Sequence, residues 1–306
     1  MKSAIGVNYY LHAGPARAIL DAIEDGKAFV DLSLDLNLSH KRFAIKGDCL
    51  VLDEHLEIDA KGLASIVAAD QKVFVLNHEG LVPIEVRAGG YYKLVPTDTA
   101  PTLEIDGIKM HRSKDIDPLV DARLKTRLVV KPRDRVLDTC GGLGYSAVFA
   151  VKAGASQVVS TEKSQPVIQI RNQNPWLIAH GDTPIDLDRI DWINADITRY
   201  IRDLEDASFD AIVHDPPRFT AGTGELYGKE FYTQLFRVMK PVSRLFHYTG
   251  SPKKIKHQDR FIKNAIKRLE QAGFSQVVFN DRLQGIHALK KCLGKHLEPV
   301  WKTTFK

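Results

Sequence analysis

Asp215, Pro216, Pro217, Arg218 and Phe219 follow directly on the apolar run Ala211-Ile212-Val213-His214. Two consecutive prolines have no backbone N–H to donate, so the ladder of a buried strand cannot continue through them. The strand must stop on a carboxylate and a carbonyl held in fixed register. An amine conjugated to a heteroaromatic ring is a poor nucleophile, because its lone pair is delocalised. Acceptors on its two N–H groups turn that lone pair outward. Asp215 can supply one acceptor and the Pro216 carbonyl the other, and neither proline offers an N–H that would use one up. The same residues also read as a stiff structural turn.

Upstream, residues 136–147 read VLDTCGGLGYSA and join a predicted strand to a predicted helix. Gly141, Gly142 and Gly144 allow a tight bend and a close approach of ligand to backbone, at a helix start whose N–H groups point outward. Locally, Gly142 to Ala147 fits G-x-G-x-x-A, which makes NAD a competing ligand. Glu162, followed by Lys163, ends the next predicted strand, where an acid can take the two hydroxyls of a ribose; NAD and S-adenosylmethionine (SAM) both fit. Asp196, at the end of the third strand, can accept from an adenine amino group, with Ile197 beside the ring. Either acid alone reads equally as a solvated loop carboxylate. Together they stand at the C-terminal ends of consecutive strands, where doubly wound sheets take ligands.

In this order and spacing, VLDTCGGLGYSA, STEKS, INADI and IVHDPPRF resemble the class I SAM-dependent methyltransferases, over roughly residues 113–290. The resemblance implies that Asp138 and the loop of Cys140, Gly141, Gly142 and Gly144 hold the methionine part of SAM. It assigns the ribose to Glu162, with Lys163 next to it, and the adenine to Asp196 and Ile197. Cys140 stands where the family more often has glycine, and no base accompanies it that would make it a nucleophile. Methyltransferases of amino groups on bases or on glutamine carry a related Asp/Asn-Pro-Pro-aromatic motif. Here Arg218 takes the aromatic position: it could stack on a base, contact a phosphate or pair with an acid. Phe219 either supplies the missing ring face or belongs to the core. The whole pattern, with DTCGGLGY, HDPPRF and FHYTGSP, is similar to an archaeal family of predicted methyltransferases, which implies methylation of RNA and, as preferred acceptor, cytidine N4 of small-subunit ribosomal RNA. A protein glutamine or small-molecule amine is the alternative acceptor, and a SAM- or RNA-binding module without turnover is a third reading. An NAD oxidoreductase leaves the Asp-Pro-Pro turn without a purpose.

The elements that must position these residues change character near residue 112. Residues 1–112 hold short β-type runs punctuated by turn residues and one helix, GPARAILDAIEDG, closed at Gly26. They predict a small, mostly β domain in which no residue reads as catalytic; if the acceptor is RNA, as the resemblance implies, this domain would help dock it. Residues 113–306 alternate strands with helical periodicities, including QPVIQIRNQNPW, ITRYIRDLE, GELYGKEFYTQLFRVMK and DRFIKNAIKRLEQAG. SQVVFND and GIHALKK read as a closing antiparallel pair. The fold class expected is α/β: a Rossmann-like, doubly wound, mostly parallel seven-stranded sheet.

Of 43 Lys and Arg, fifteen fall in residues 240–306 against four Asp and Glu, a net of +11, while the remaining chain is net −6. That asymmetry points one end of the molecule at a polyanion. Lys253, Lys254, Lys256 and Arg260 either grip RNA phosphates at the mouth of the site or decorate a solvated loop. No apolar run approaches the ~18 residues of a membrane span, and no secretory signal is evident. Three widely spaced cysteines suit a reducing cytoplasm, and the cysteines and histidines show no metal-ligand spacing. His111, His214 and His247 are therefore expected to be structural, and Tyr227 to line a pocket at most.

Overall fold

A computed structural model describes residues 7–177, 185–250 and 258–291. The apolar runs of the second half pair as one seven-stranded sheet in the order β14-β13-β12-β15-β16-β18-β17. Its elements are α3 (Pro118–Val129), β12 (Arg135–Asp138), α4 (Tyr145–Lys152), β13 (Gln157–Glu162), α5 (Gln165–Arg171), β14 (Ile190–Asn194), α6 (Ile197–Tyr200), β15 (Phe209–His214), α7 (Lys229–Val238), β16 (Met239–Tyr248), α8 (Gln258–Gln271), β17 (Ser275–Asn280) and β18 (Gly285–Lys290). Five strands run parallel in sequence from β14 to β16. β18 pairs antiparallel with both β16 and β17, so the sheet is mixed.

Alternate side chains explain why both faces are covered. Val136, Val158, Ala211 and Val213 enter one buried cluster with Val129 of α3 and Ala147 and Val148 of α4. Leu137, Val159 and Ile212 enter another, with Phe231 and Leu235 of α7 and Leu269 of α8. Strands buried on both faces read as continuous apolar runs.

The first half comprises β1 (Tyr9–Leu11), α1 (Ala13–Glu24), β2 (Phe29–Leu32), β3 (Lys41–Lys46), β4 (Cys49–Val51), β5 (Glu57–Asp59), α2 (Ala60–Ala68), β6 (Phe74–Asn77), β7 (Gly80–Pro83), β8 (Glu85–Arg87), β9 (Tyr91–Val95), β10 (Thr102–Ile105) and β11 (Ile108–Lys109). The strands form three small antiparallel sheets, β1-β6-β7, β2-β3-β4-β5 and β11-β10-β9-β8. This half shares a core with the second: Leu94 and Leu103 lie in one buried cluster with Ala122, Tyr145 and Val167. Tyr145 also donates to the Pro101 carbonyl (2.8 Å) and the Trp176 indole to that of Leu36 (2.7 Å).

Two helices depart from the sequence reading by appearing, and three by breaking: QPVIQIRNQNPW and ITRYIRDLE each end in a 3-10 turn, and a third run begins in one. α2 and α3 start at Asp59 and Asp117, whose carboxylates accept from the amides of Gly62 and Val120. The run expected to be one helix from Gly224 to Lys240 begins as a 3-10 turn, Gly224–Tyr227, and restarts after Gly228, whose extended backbone (ψ 151°) interrupts it. β16 then starts at Met239, four residues before the expected Ser243. Among the described residues, no helix is long and apolar enough to cross a membrane.

Candidate active site

The parallel register levels the strand ends: Leu137 lies opposite Val159 and Ile212, and Glu162 opposite Asn194. The turns that follow β12, β13, β14 and β15 therefore open on one side. They enclose a cavity of about 290 Å³ lined by Cys140, Gly142, Glu162, Asp196, Asp215 and Pro216, among others. Four strands widely separated in sequence thus deliver their terminal residues to a single space.

The glycine loop follows β12. The Gly141 amide donates to the Thr161 carbonyl (2.8 Å), and the Gly142 amide to Glu162 Oε2 (3.1 Å). A Cβ at Gly141 would stand 2.4 Å from Ser160 Oγ, so only glycine allows the loop to lie so close to β13. Glu162 Oε1 also accepts from the Ser164 amide (2.8 Å). Burial nevertheless raises this carboxyl above its ordinary range, against the pull of those amides. A carboxylate has about four lone-pair directions, so these two bonds leave capacity for hydroxyl donors from a ligand.

Asp196 caps α6, its Oδ1 accepting from the Thr198 amide (3.0 Å) and hydroxyl (2.8 Å), and Oδ2 lies 3.7 Å from Lys163 Nζ. Burial pushes its carboxyl up, but the bonds from Thr198 and the nearby cations together bring it below the ordinary value. Ile197, buried, and Lys163 also line the cavity.

Two residues assigned to the cofactor stand elsewhere. Asp138 is fully buried beneath the loop: Oδ2 accepts from Ser160 Oγ (2.8 Å), the Ser146 hydroxyl also bonds to the carboxyl, and the side chain is not part of the cavity wall. Burial drives its carboxyl up to about 7, with the charges of Asp215 and Glu162 adding to the effect. Gly144 is likewise off the wall; it caps α4 at φ 87°, where a Cβ would come 2.6 Å from Leu177 and 2.9 Å from Trp192. Both residues shape the loop from behind.

The Asp-Pro-Pro turn leaves β15 as its stiffness requires. Asp215, Pro216 and Pro217 line the cavity, and the Pro217 carbonyl accepts from the buried Tyr227 hydroxyl (2.8 Å). Arg218 and Phe219 do not reach the cavity wall. Arg218 is exposed, its carbonyl accepting from Thr223 Oγ1, and Phe219 is 54% exposed against Tyr227 and Phe261. Neither is positioned to stack on a molecule inside. Arg260, on α8, is exposed, while Lys253, Lys254 and Lys256 lie outside the described residues.

Asp215 also has a partner from ninety residues away. Lys125 Nζ on α3 donates to Asp215 Oδ2 (2.8 Å) and to Asp121 Oδ2 (2.7 Å), while Arg112 holds Asp121 Oδ1 (2.9 Å). Burial alone would lower Lys125, but the two carboxylates raise it above the ordinary lysine value, so it is charged. Asp121 stands four residues before it on the same helix, a spacing the sequence reading did not pick out.

The first half of the chain, in which no residue reads as catalytic, supplies a wall of the cavity through Tyr92, Leu103, Ile105, Met110 and His111. His111 shares a hydrogen bond with Thr102 Oγ1 (3.0 Å), and burial, aided by the Lys125 charge, lowers it to about 4. His214 is buried and its Nε2–H donates to the Leu226 carbonyl (3.0 Å), so Nδ1 accepts from Thr139 Oγ1 (2.7 Å). It ties the glycine loop to the segment after Asp-Pro-Pro, and its ring stacks on that of the buried His247. The Cys140 thiol lines the cavity, but burial and the surrounding carboxylates hold it well above the ordinary value, so it is not a thiolate. Among the described residues, no group of three or more His, Cys, Asp or Glu is arranged to hold a metal ion.

The class that this fold and site define is a mixed α/β chain with a ligand cavity at the carboxyl ends of its parallel strands. The chain belongs to the family of the uncharacterized protein MJ1233 of Methanocaldococcus jannaschii, with which it shares 34% identity over 287 residues, 92% of this chain and 95% of that one. No family model matches the sequence. A shorter stretch, 110 residues, is 36% identical to ribosomal RNA large subunit methyltransferase I of Enterobacter sp. (strain 638), covering 35% of this chain and 26% of that protein. Among solved structures, a spermidine synthase in complex with the transition-state analogue AdoDATO superposes with a TM-score of 0.53 at 19% identity, over 67% of this chain and 72% of that one. Spermidine synthase from Thermotoga maritima gives 0.51 at 17% identity, over 67% and 71%. These two likenesses concern the fold.

Proposed function

We propose that this chain is a SAM-dependent methyltransferase acting on an exocyclic amine of an RNA base, with cytidine N4 of small-subunit ribosomal RNA as preferred acceptor. One observation carries the reading: Gly142, Glu162, Asp196 and Asp215, from the ends of four strands, line the same cavity. The donor set suits SAM. Glu162 keeps lone pairs for ribose hydroxyls, Asp196 Oδ2, facing Lys163 at 3.7 Å, keeps a lone pair for an adenine amino group, and Ile197 gives the ring an apolar neighbour. Bound there, SAM supplies an electrophilic methyl group.

The chain's own residues do the positioning. Asp215 and the Pro216 carbonyl accept the N–H groups of the acceptor amine, turning its lone pair away from the ring. The Pro217 carbonyl is occupied by Tyr227 and does not serve. Methyl transfer from a sulfonium is an in-line displacement, for which orientation is the main contribution a protein can make. Likeness to a ribosomal RNA methyltransferase over 110 residues supports an RNA acceptor, and the excess of Lys and Arg in residues 240–306 supports a polyanion. The first half of the chain is the part that would dock a folded RNA.

The test uses labelled SAM with total RNA, separated small and large ribosomal subunits, and protein extract, followed by nucleoside mass spectrometry of the labelled fraction. N4-methylcytidine in the small subunit is expected. Label confined to protein glutamine, to small amines or to a ring carbon would replace the acceptor. SAM raising the melting temperature while NAD does not is the matching result for the cofactor; the reverse would end the methyltransferase reading.

A further inference from the structure

Resting on that reading, we infer that Lys125 is a positioning residue of the reaction: it clamps one carboxylate oxygen of Asp215, so that the other is the oxygen presented to the acceptor amine. Nζ lies 2.8 Å from Asp215 Oδ2 and 2.7 Å from Asp121 Oδ2. Only 6% of the Lys125 side chain is exposed, against 28% for Asp215, so the pair is closed on the lysine side and open on the cavity side. Asp121 is itself fixed, because Arg112 Nη1 donates both to its Oδ1 (2.9 Å) and to the Arg282 carbonyl (3.0 Å). The ammonium also sits 4.0 Å from the centre of the Tyr248 ring, at the end of β16. α3, the segment after β15 and β16 thus converge on one cation, while Arg112 of the β11–α3 connection holds its second carboxylate.

That arrangement does two things for the chemistry. A free carboxylate on a loop rotates about its terminal bond; with Oδ2 engaged, Asp215 has one orientation and one acceptor direction toward the cavity. The second N–H of an amine must then go to a backbone carbonyl, which is the role the Pro216 peptide is built to fill. A bond from a charged ammonium is also stronger than one from a neutral donor, so that orientation is held firmly. A buried lysine paired with two carboxylates is a costly arrangement for stability alone, since apolar residues of similar volume fill such a space as well or better.

The experiment compares the wild type with Lys125→Met, Lys125→Arg and Lys125→Ala, each assayed for SAM affinity by calorimetry and for single-turnover transfer to RNA. Lys125→Met is expected to lose about 10²-fold in transfer rate, with SAM affinity unchanged within about threefold. Lys125→Arg should recover part of the rate, and added ethylamine or propylamine should recover part of it in Lys125→Ala. Undiminished transfer in Lys125→Met overturns the inference, as does a loss of SAM binding as large as the loss of rate. A thermal-melt cycle of Lys125→Met and Asp215→Asn judges the pair without any turnover: strictly additive shifts overturn it. A wild type that transfers no methyl group to any RNA overturns the functional reading beneath the inference, while the melt cycle still decides the pair.

Discussion

Asp215 is bound by Lys125 on one oxygen and borders the cavity, and its described hydrogen bond does not go to the glycine loop, which feels only its charge. Removing its carboxylate should therefore separate chemistry from cofactor binding. Asp215→Ala is expected to lower methyl transfer by about 10²–10³-fold, the range for removing one preorganised polar contact to a reacting group, while calorimetric SAM affinity changes little. Unchanged turnover would remove Asp215 from the mechanism. His214 supports a prediction of a different kind. Burial lowers it from 6.5 to about 4, so its contribution to stability is complete above pH 6.5 and is lost as pH falls through about 4. The shift corresponds to about 3 kcal/mol. Asp138, raised to about 7, acts in the opposite sense, stabilising fully below its ordinary value of 3.8 and losing that contribution as pH rises through 7. The His214 effect is therefore read as a difference: the melting temperature of His214→Asn relative to wild type should rise as pH falls from 6.5 to 4, and a flat difference would refute it. Glu162, Asp196 and Asp215 could be brought together from the sequence because they end consecutive predicted strands, not because an acid there lacks a structural use: Asp196 caps α6. Lys125 was invisible, since no local pattern announces a partner ninety positions away.

The strands of the second half were legible because burial on both faces leaves nearly unbroken apolar runs bounded by Gly, Pro and Asp. α3 was not, for a reason that belongs to function. Its buried positions are Pro118, Asp121, Ala122, Lys125, Thr126 and Val129, a regular helical stripe in which three of six members are polar. The ion pair that serves the site erases the apolar periodicity that would reveal the helix. The glycine loop allows a sharper test at this scale. Gly142 has φ 50° with no atom within 4 Å of an added Cβ, whereas Gly144 combines φ 87° with contacts of 2.6 and 2.9 Å. Gly142→Ala should cost about 1–2 kcal/mol, the ordinary price of a left-handed L-residue. Gly144→Ala should cost more, on the order of 3 kcal/mol, because Leu177 and Trp192 must also move. Urea unfolding distinguishes the two; equal costs would mean that the packing behind the loop yields freely.

Across the whole molecule, the division near residue 112 describes composition better than it describes the core. One buried cluster contains Leu94 and Leu103 from the first half with Ala122, Tyr145, Val167 and Ile170 from the second, and five residues of the first half border the cavity. Sequence periodicity suggests a change of character near residue 112 but not the contact across it, because a residue that packs on its own sheet and one that packs on a neighbouring part carry the same pattern. Separating the halves would expose this apolar surface on both of them, which opposes independent unfolding. Calorimetric unfolding is therefore expected to show a single transition, with calorimetric and van't Hoff enthalpies in agreement. Since the cavity wall comes from both halves, SAM should move that whole transition upward, by about 2.7 kcal/mol at a hundredfold excess over its dissociation constant. Two resolved transitions, only one of them shifted by SAM, would show that the halves fold separately and that the cofactor touches only the second. A single transition that SAM shifts and that Leu103→Asp lowers by several degrees, with weakened SAM affinity, would instead fix the first half as part of the site's own wall.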